Sequence, residues 1–179
     1  IDLNSATNQK VVAYWQDLIN KDLVATDPDF TDAYYQGLAN NKYASWLVAA
    51  WGPVFLQGTA KTTSGLWRAG KIPQYSAGAD VSGNWGGSTD AVMSTTKNQI
   101  AAYELAKFIN HDPASTLALA NQQFLFPVTK STLTDPKFVS QTPEFYGGQK
   151  VNEFFAGVSD TVDPKFEWLP FMDYVSSSY

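Results

Sequence analysis

Apolar side chains Val11, Val12, Tyr14, Trp15, Leu18 and Ile19 recur at the spacing that gathers them on one side of a helix. Asn4, Ser5 and Thr7 stand just ahead of them. Each is a good N-cap, because a short side-chain oxygen accepts from a helix N–H that otherwise lacks a partner. The pattern predicts an amphipathic helix ending near Lys21 or Asp22. Thr26-Asp27-Pro28-Asp29 reads as a turn. A shorter helix is expected over 32–39, entered through Phe30 and Thr31 and broken by Asn40 and Asn41. The period then changes. Residues 43–50 are an aromatic and aliphatic run that reads as a buried strand. Gly52-Pro53 comes next, and proline is favoured in a helix's first turn, so a helix is expected to start over 54–57. This order puts Trp51 at the carboxyl end of a strand, where ligands of open α/β sheets bind.

Further on, short strands are expected at 65–68 and 91–93, an extended run at 72–75, and a small polar loop at 76–83. A helix is expected over 97–110, with Ala101, Leu105, Phe108 and Ile109 on one stripe. Asp112-Pro113 starts another, reaching about residue 120. Residues 124–128 are aromatic and contain Pro127. Pro136, Pro143 and Gly147-Gly148 break the region between residues 130 and 150. Residues 151–155 read as helix, 163–170 as extended chain, and Phe171 as the start of a last helix. No internal repeat or low-complexity linker is present. The alternation of strand and helix signals places the chain in the α/β class.

Composition narrows the function classes. With 44% hydrophobic residues, 179 residues can bury the core of one or two compact units. Aromatics reach 15%, and part of that excess suits a binding surface, although any single aromatic is better read as core. The net charge is −5 and no Lys/Arg cluster occurs, which excludes nucleic acid as a partner, because binding phosphates needs a basic face. There is no cysteine, which removes disulfides and thiolate zinc sites. No apolar run has the length of a membrane span, and no signal-peptide pattern is present. The chain opens at Ile1, so a processed product or a fragment is expected.

Catalytic chemistry is hard to place. His111 is the single histidine, which leaves no Ser–His–Asp triad and no histidine metal cluster. It reads as a solvated residue at a helix entry. A glycosidase needs two carboxylates facing one bond, and no acidic residue has such a setting. Asp160 and Asp163 read as turn formers. Gly83, Gly86 and Gly87 lack the spacing of a dinucleotide fingerprint, and no lysine follows where a P-loop needs one. The expectation is therefore no catalytic residue, no metal and no cofactor.

Binding chemistry is easier to find. In Ser82-Gly83-Asn84-Trp85-Gly86-Gly87-Ser88 an indole sits among glycines. Glycine lets a ligand approach the backbone. Tryptophan adds a flat apolar face with one donor. Together they suit a molecule with apolar C–H faces and many hydroxyls, namely a sugar. Ala50-Trp51-Gly52-Pro53 repeats the logic. Trp85, in a polar segment, reads as a ligand contact. Trp51 reads equally as a ligand contact or a strand-end core residue. Trp168, ahead of Leu169-Pro170-Phe171, either closes over a cleft or pins its loop. Trp15, Trp46 and Trp67 read as core.

Taken in order, these features resemble the extracellular solute-binding proteins of ABC sugar importers, the maltose-binding-protein-like family. The resemblance runs over essentially the whole chain. It is carried by Asp2-Leu3-Asn4-Ser5 ahead of the Tyr14-Trp15 helix. It continues in Asn41-Lys42-Tyr43-Ala44 with Trp51-Gly52-Pro53, where Asn41 replaces the usual glycine. Asn84-Trp85-Gly86-Gly87-Ser88 followed by Ala91-Val92 and Lys97-Asn98 is the most specific part. Leu125-Phe126-Pro127-Val128-Thr129-Lys130 and the segment 166–174 complete it. The resemblance implies a type II periplasmic-binding-protein-like α/β fold, mostly the second lobe with a segment of the first. Residues 1–86 would open the second lobe, 87–131 cross into the first, and 132–179 return to the second, cut short at its end. It implies a carbohydrate ligand bound by Trp51, Asn84, Trp85, Gly86, Gly87 and Trp168, hinge closure, and no catalysis. It also implies permease subunits of a membrane importer as partners, and an extracellular location, as a membrane-anchored lipoprotein or in the periplasm. The N-terminal lobe would be missing, so the 97–110 stripe would need another cover, from a separate chain or by self-association.

Two other classes share the aromatic, acidic profile. One is a carbohydrate-active enzyme or carbohydrate-binding accessory module. The other is a structural or adhesion module. The helix-rich α/β pattern disfavours both, since many such modules are β-sandwiches of regular short strands.

Overall fold

The computed structural model describes residue 2 and residues 4–167. The chain divides into two compact units, Ile1–Trp46 and Leu47–Tyr179.

The first unit begins with α1 (Ala6–Asn20). Of the candidate caps, Ser5 takes the position, its Oγ accepting from the Asn8 N–H at 3.3 Å. The expected amphipathic helix forms, yet Val11, Val12, Tyr14, Trp15 and Ile19 all stay exposed. Trp15, expected in the core, is 40% exposed. No helix of the described part of this unit packs on α1 closely enough to cover that stripe. The second helix, α2 (Asp32–Ala39), matches its expected bounds and is capped by Thr31, which accepts from the Tyr34 N–H at 3.2 Å. Tyr34 and Leu38, one turn apart, are both buried. Tyr34 is the centre of an aromatic cluster, with the rings of Tyr43 at 5.4 Å and Trp46 at 6.0 Å. Gly37 is required here: a Cβ would overlap the Tyr43 ring. Burial, with the nearby Asp29 carboxylate adding to it, pushes the Tyr34 hydroxyl up to about 12.

Asp27 closes this unit's loop. Both its oxygens accept from Lys42 Nζ at 2.9 Å, and one accepts from the Tyr43 hydroxyl at 2.8 Å. The Lys42 hydrogen bond, then that from Tyr43, holds the Asp27 carboxyl below its ordinary 3.8. A carboxyl with a depressed folded-state value stabilises in full above its ordinary value and loses that contribution as pH falls through the folded one. The stability difference between the native chain and Asp27→Asn, read from thermal melts, is thus expected to be constant from neutral pH to about 4 and to vanish in stronger acid. A difference that persists at the acid end would remove the ion pair from the account.

The second unit opens with α3 (Gly52–Thr59), with Pro53 in its first turn, and a 3₁₀ turn at Lys61–Thr63. A long stretch without helix separates these from α4 (Gln99–His111) and α5 (Pro113–Gln123). The two are joined through Asp112, which caps α5 by accepting from Ala114 and Ser115 N–H at 3.0 Å. His111 is exposed, closes α4 and directly precedes Asp112, the N-cap of α5, so it stands at a helix entry as its sequence setting predicts. Two single-turn helices, α6 (Lys130–Leu133) and α7 (Pro136–Val139), precede a 3₁₀ turn at Glu144–Tyr146 and then α8 (Val151–Ser159). α4 packs on α5, α5 on α6 and α7, and α7 on α8. The core holds Leu56, Ala60, Ala120, Phe138, Phe145, Tyr146 and Val151. Inside it the Thr116 and Thr132 hydroxyls pair at 2.8 Å. Burial pushes the Tyr146 hydroxyl up, and that hydroxyl donates to the Pro53 carbonyl at 3.0 Å. Ile100, Tyr103, Leu105 and Phe108 of α4 remain exposed.

The strands expected at 43–50, 65–68 and 91–93 do not form among the described residues, whose regular elements are helical apart from one isolated parallel bridge between Ser82 and Val162. A strand exists only as part of a ladder, and these segments meet no extended neighbour among the described residues that could complete one. Side-chain amides take the ladder's place. Gln149 accepts from the Ala69 N–H at 2.8 Å and donates to the Ala69 carbonyl at 2.9 Å. Gln74 does the same at Val81, at 3.1 and 3.0 Å. Gln149→Ala removes two half-buried hydrogen bonds and is expected to cost about 1–2 kcal/mol of stability. Denaturant unfolding checks this; an unchanged midpoint would show that solvent replaces both bonds. The expected run 163–170 lies partly, and the helix from 171 wholly, outside the described residues.

Candidate functional site

The second unit holds a cavity of about 680 Å³. Its lining includes the segment Ser82 to Ser88 with Trp51, and also Phe126, Phe154, Phe155 and Val158. Asn84, Trp85, Gly86 and Gly87 all line it, so the structure brings these four candidates and Trp51 together. Trp168 lies outside the described residues.

Trp51 and Trp85 meet edge to face, ring centroids 5.2 Å apart at 67°. Trp51 Nε1 donates to the Trp85 carbonyl at 2.9 Å. A second edge contact, to Phe55 at 5.7 Å and 84°, fixes the Trp51 ring from α3. The two tryptophans therefore have different jobs. Trp51 is half-buried, and its polar atom is spent on the neighbouring backbone; it orients. Trp85 is 47% exposed, and its ring is the one presented.

The glycines make this possible. Gly86 has φ +114° and Gly87 φ +111°, conformations that L side chains rarely adopt. At Gly86 an added Cβ would lie 3.0 Å from Trp51 Nε1 and 3.3 Å from its Cδ1; at Gly87 it would meet open space. The chain thus passes close against the Trp51 indole at Gly86 and has open space beside it at Gly87.

The sequence reading missed the part of the lining that α8 supplies. Phe154 and Phe155, at 5.6 Å edge to face on α8, line the cavity together with Val158. Phe154 and Val158, four apart on a helix, share a face. Ser88, the last residue of the glycine-rich motif, also lines the cavity, as do Asn110 and Lys71, which the sequence did not single out. Asn110 sits at the end of α4, its Nδ2 donating to Asp90 at 2.5 Å. Among the described residues no group of three or more metal-ligating side chains occurs, and no helix is long and apolar enough to cross a membrane.

No protein-family model matches the chain, and no curated protein matches it in sequence. A solved structure does: the ABC transporter associated binding protein from B. animalis subsp. lactis Bl-04, in complex with beta-1,6-galactobiose. The TM-score is 0.73 at 22% identity, over 96% of this chain and 46% of that one. The chain therefore spans about half the length of the protein it matches. The likeness establishes the fold: these residues adopt part of the fold of an ABC transporter associated binding protein, as the resemblance in sequence led one to expect.

Proposed function

We propose that the chain is part of the substrate-binding component of an ABC importer. In this reading it captures a sugar or oligosaccharide between two lobes and delivers it to the membrane permease. The single observation that carries the reading is Trp85. Its indole stands half exposed in the wall of a 680 Å³ cavity, beside backbone opened by Gly86 and Gly87. A sugar ring stacks its C–H face on that indole, and Asn84 and the two glycine amides bond its hydroxyls. A ligand lacking a hydroxyl would leave such groups unpaired, which is the source of selectivity. The galactobiose bound by the structural neighbour supports the ligand class.

Residues 1–86 and 132–179 belong to one lobe and 87–131 to the other. This division is supported by the cavity, whose lining draws on 48–86, on 87–128 and on 154–162. In the complete α/β protein the remaining part of the first lobe would pair the extended segments and cover α4; the 46% coverage of the neighbour supports that view. Ligand bridging the lobes shifts the population toward a closed state that the permease recognises. The protein works outside the membrane, in the periplasm or as an anchored lipoprotein, and performs no catalysis.

Isothermal titration calorimetry with neutral mono-, di- and oligosaccharides tests this, alongside chromogenic glycosides. Saturable heat with one sugar class and no turnover is the expected result. Glycoside turnover would favour a carbohydrate-active enzyme. Absence of any saturable binding would leave the fold and remove the sugar.

A further inference from the structure

The charges around the cavity narrow the ligand further, on the reading that the ligand is a sugar. Among the described residues that line the cavity, Lys71 alone carries a charge. Its ammonium is not available as an isolated cation. Nζ lies 2.7 and 2.6 Å from the two Asp80 carboxylate oxygens. The pairing is built into the loop. Gln74 holds both backbone groups of Val81, at 3.0 and 3.1 Å, and also donates to the Ile72 carbonyl at 2.9 Å. That amide ties residues 72 and 81 together and so places their neighbours, Lys71 and Asp80, opposite each other. Ser82 is then anchored to Thr161, N–H to carbonyl at 3.1 Å and hydroxyl to hydroxyl at 2.8 Å. The loop therefore closes on three successive contacts, and Lys71, Ile72 and Ser82 from them line the cavity.

We infer that the site takes uncharged saccharides and that Asp80, by neutralising Lys71, determines their selection over acidic ones. A carboxylate entering the cavity loses water, and losing it is costly without a countercharge. The Lys71 attraction is offset by Asp80, a charge of the acid's own sign held against the ammonium. Both side chains are about half exposed, 53% and 52%. The pair therefore adds little to stability, and its contribution is local neutrality. Hydroxyl groups meet no such penalty from Asn84, Ser88 and the open backbone. Net electrostatics of this kind act on specificity more than on raw affinity.

The test uses beta-1,6-galactobiose, maltose and cellobiose. Each is paired with the derivative in which C6 of the non-reducing ring is a carboxylate. The readout is the ratio of neutral to acidic affinity, measured by calorimetry at low and at high salt. In the native chain at least one neutral disaccharide is expected to bind on the order of tenfold or more tighter than its acid. Asp80→Asn is expected to reduce that ratio severalfold, through salt-sensitive binding of the acid, and adding Lys71→Met to abolish the gain. Acids that bind the native chain as well as their neutral partners would overturn the inference and leave the sugar reading standing. So would an Asp80→Asn ratio identical to the native one. Failure of every neutral and acidic sugar to bind would overturn the sugar reading and the inference with it.

Discussion

Trp85→Ala is expected to weaken sugar binding by about 2 kcal/mol or more, roughly thirtyfold, while leaving the folded state nearly as stable as before. The two halves of this expectation have separate grounds. A large aromatic presented in a cavity is the kind of residue on which binding energy concentrates, because its face excludes water from the contact. Its role in folding is small. The ring is 47% exposed, and its aromatic neighbour is Trp51. The bond that ties the loop to α3 runs from Trp51 Nε1 to the residue 85 carbonyl, a backbone group that alanine keeps. Calorimetry with the cognate sugar and a thermal melt read the two halves independently. A variant that binds normally returns Trp85 to a packing role. A variant that unfolds shows that the loop depends on the indole itself.

Gly86→Ala is expected to be the second severe change, and its comparison with Gly87→Ala isolates the cause. Both glycines sit at φ values costing an L residue roughly 1–3 kcal/mol. Only at Gly86 does a methyl group also press on another side chain, at 3.0 Å from Trp51 Nε1. Relief requires the indole to move and its hydrogen bond to the residue 85 carbonyl to lengthen. The orientation of Trp85 is then lost along with it. Gly86→Ala should therefore lower sugar affinity about tenfold more than Gly87→Ala does, an extra cost of about 1.4 kcal/mol. Equal losses in the two variants would mean that backbone strain alone acts and that Trp51 does not orient the loop.

Helix signals were legible because they are local. The cap at Thr31 and the breaker at Asn40 bracket α2 at its expected bounds. Asp112-Pro113 marked the start of α5, and α8 ran four residues past its expected end to Ser159 because nothing interrupts its pattern. The strands were not legible in the same sense. Residues 43–50 have the composition of a buried strand, but a ladder needs a partner segment, and composition does not supply one. Nor could a glutamine eighty positions away be foreseen as the partner of Ala69. At the site, the glycine-flanked indole announced itself because few apolar neighbours compete for it. The division of labour between Trp51 and Trp85 did not. It depends on a hydrogen bond between residues 34 positions apart. The lining from α8 was hidden for a similar reason: Phe154 and Phe155 read only as part of a helix until the fold brings them into the same cavity as Trp85.

The central claim is that Trp85 meets a sugar. Intrinsic tryptophan fluorescence, recorded while the chain is titrated with neutral disaccharides beginning with beta-1,6-galactobiose, tests it most directly, because the reporter is the contacting group. The account predicts a saturable change in emission with at least one sugar class, lost or strongly reduced in Trp85→Ala. No saturable change with any sugar, or the same change in the variant, would contradict it.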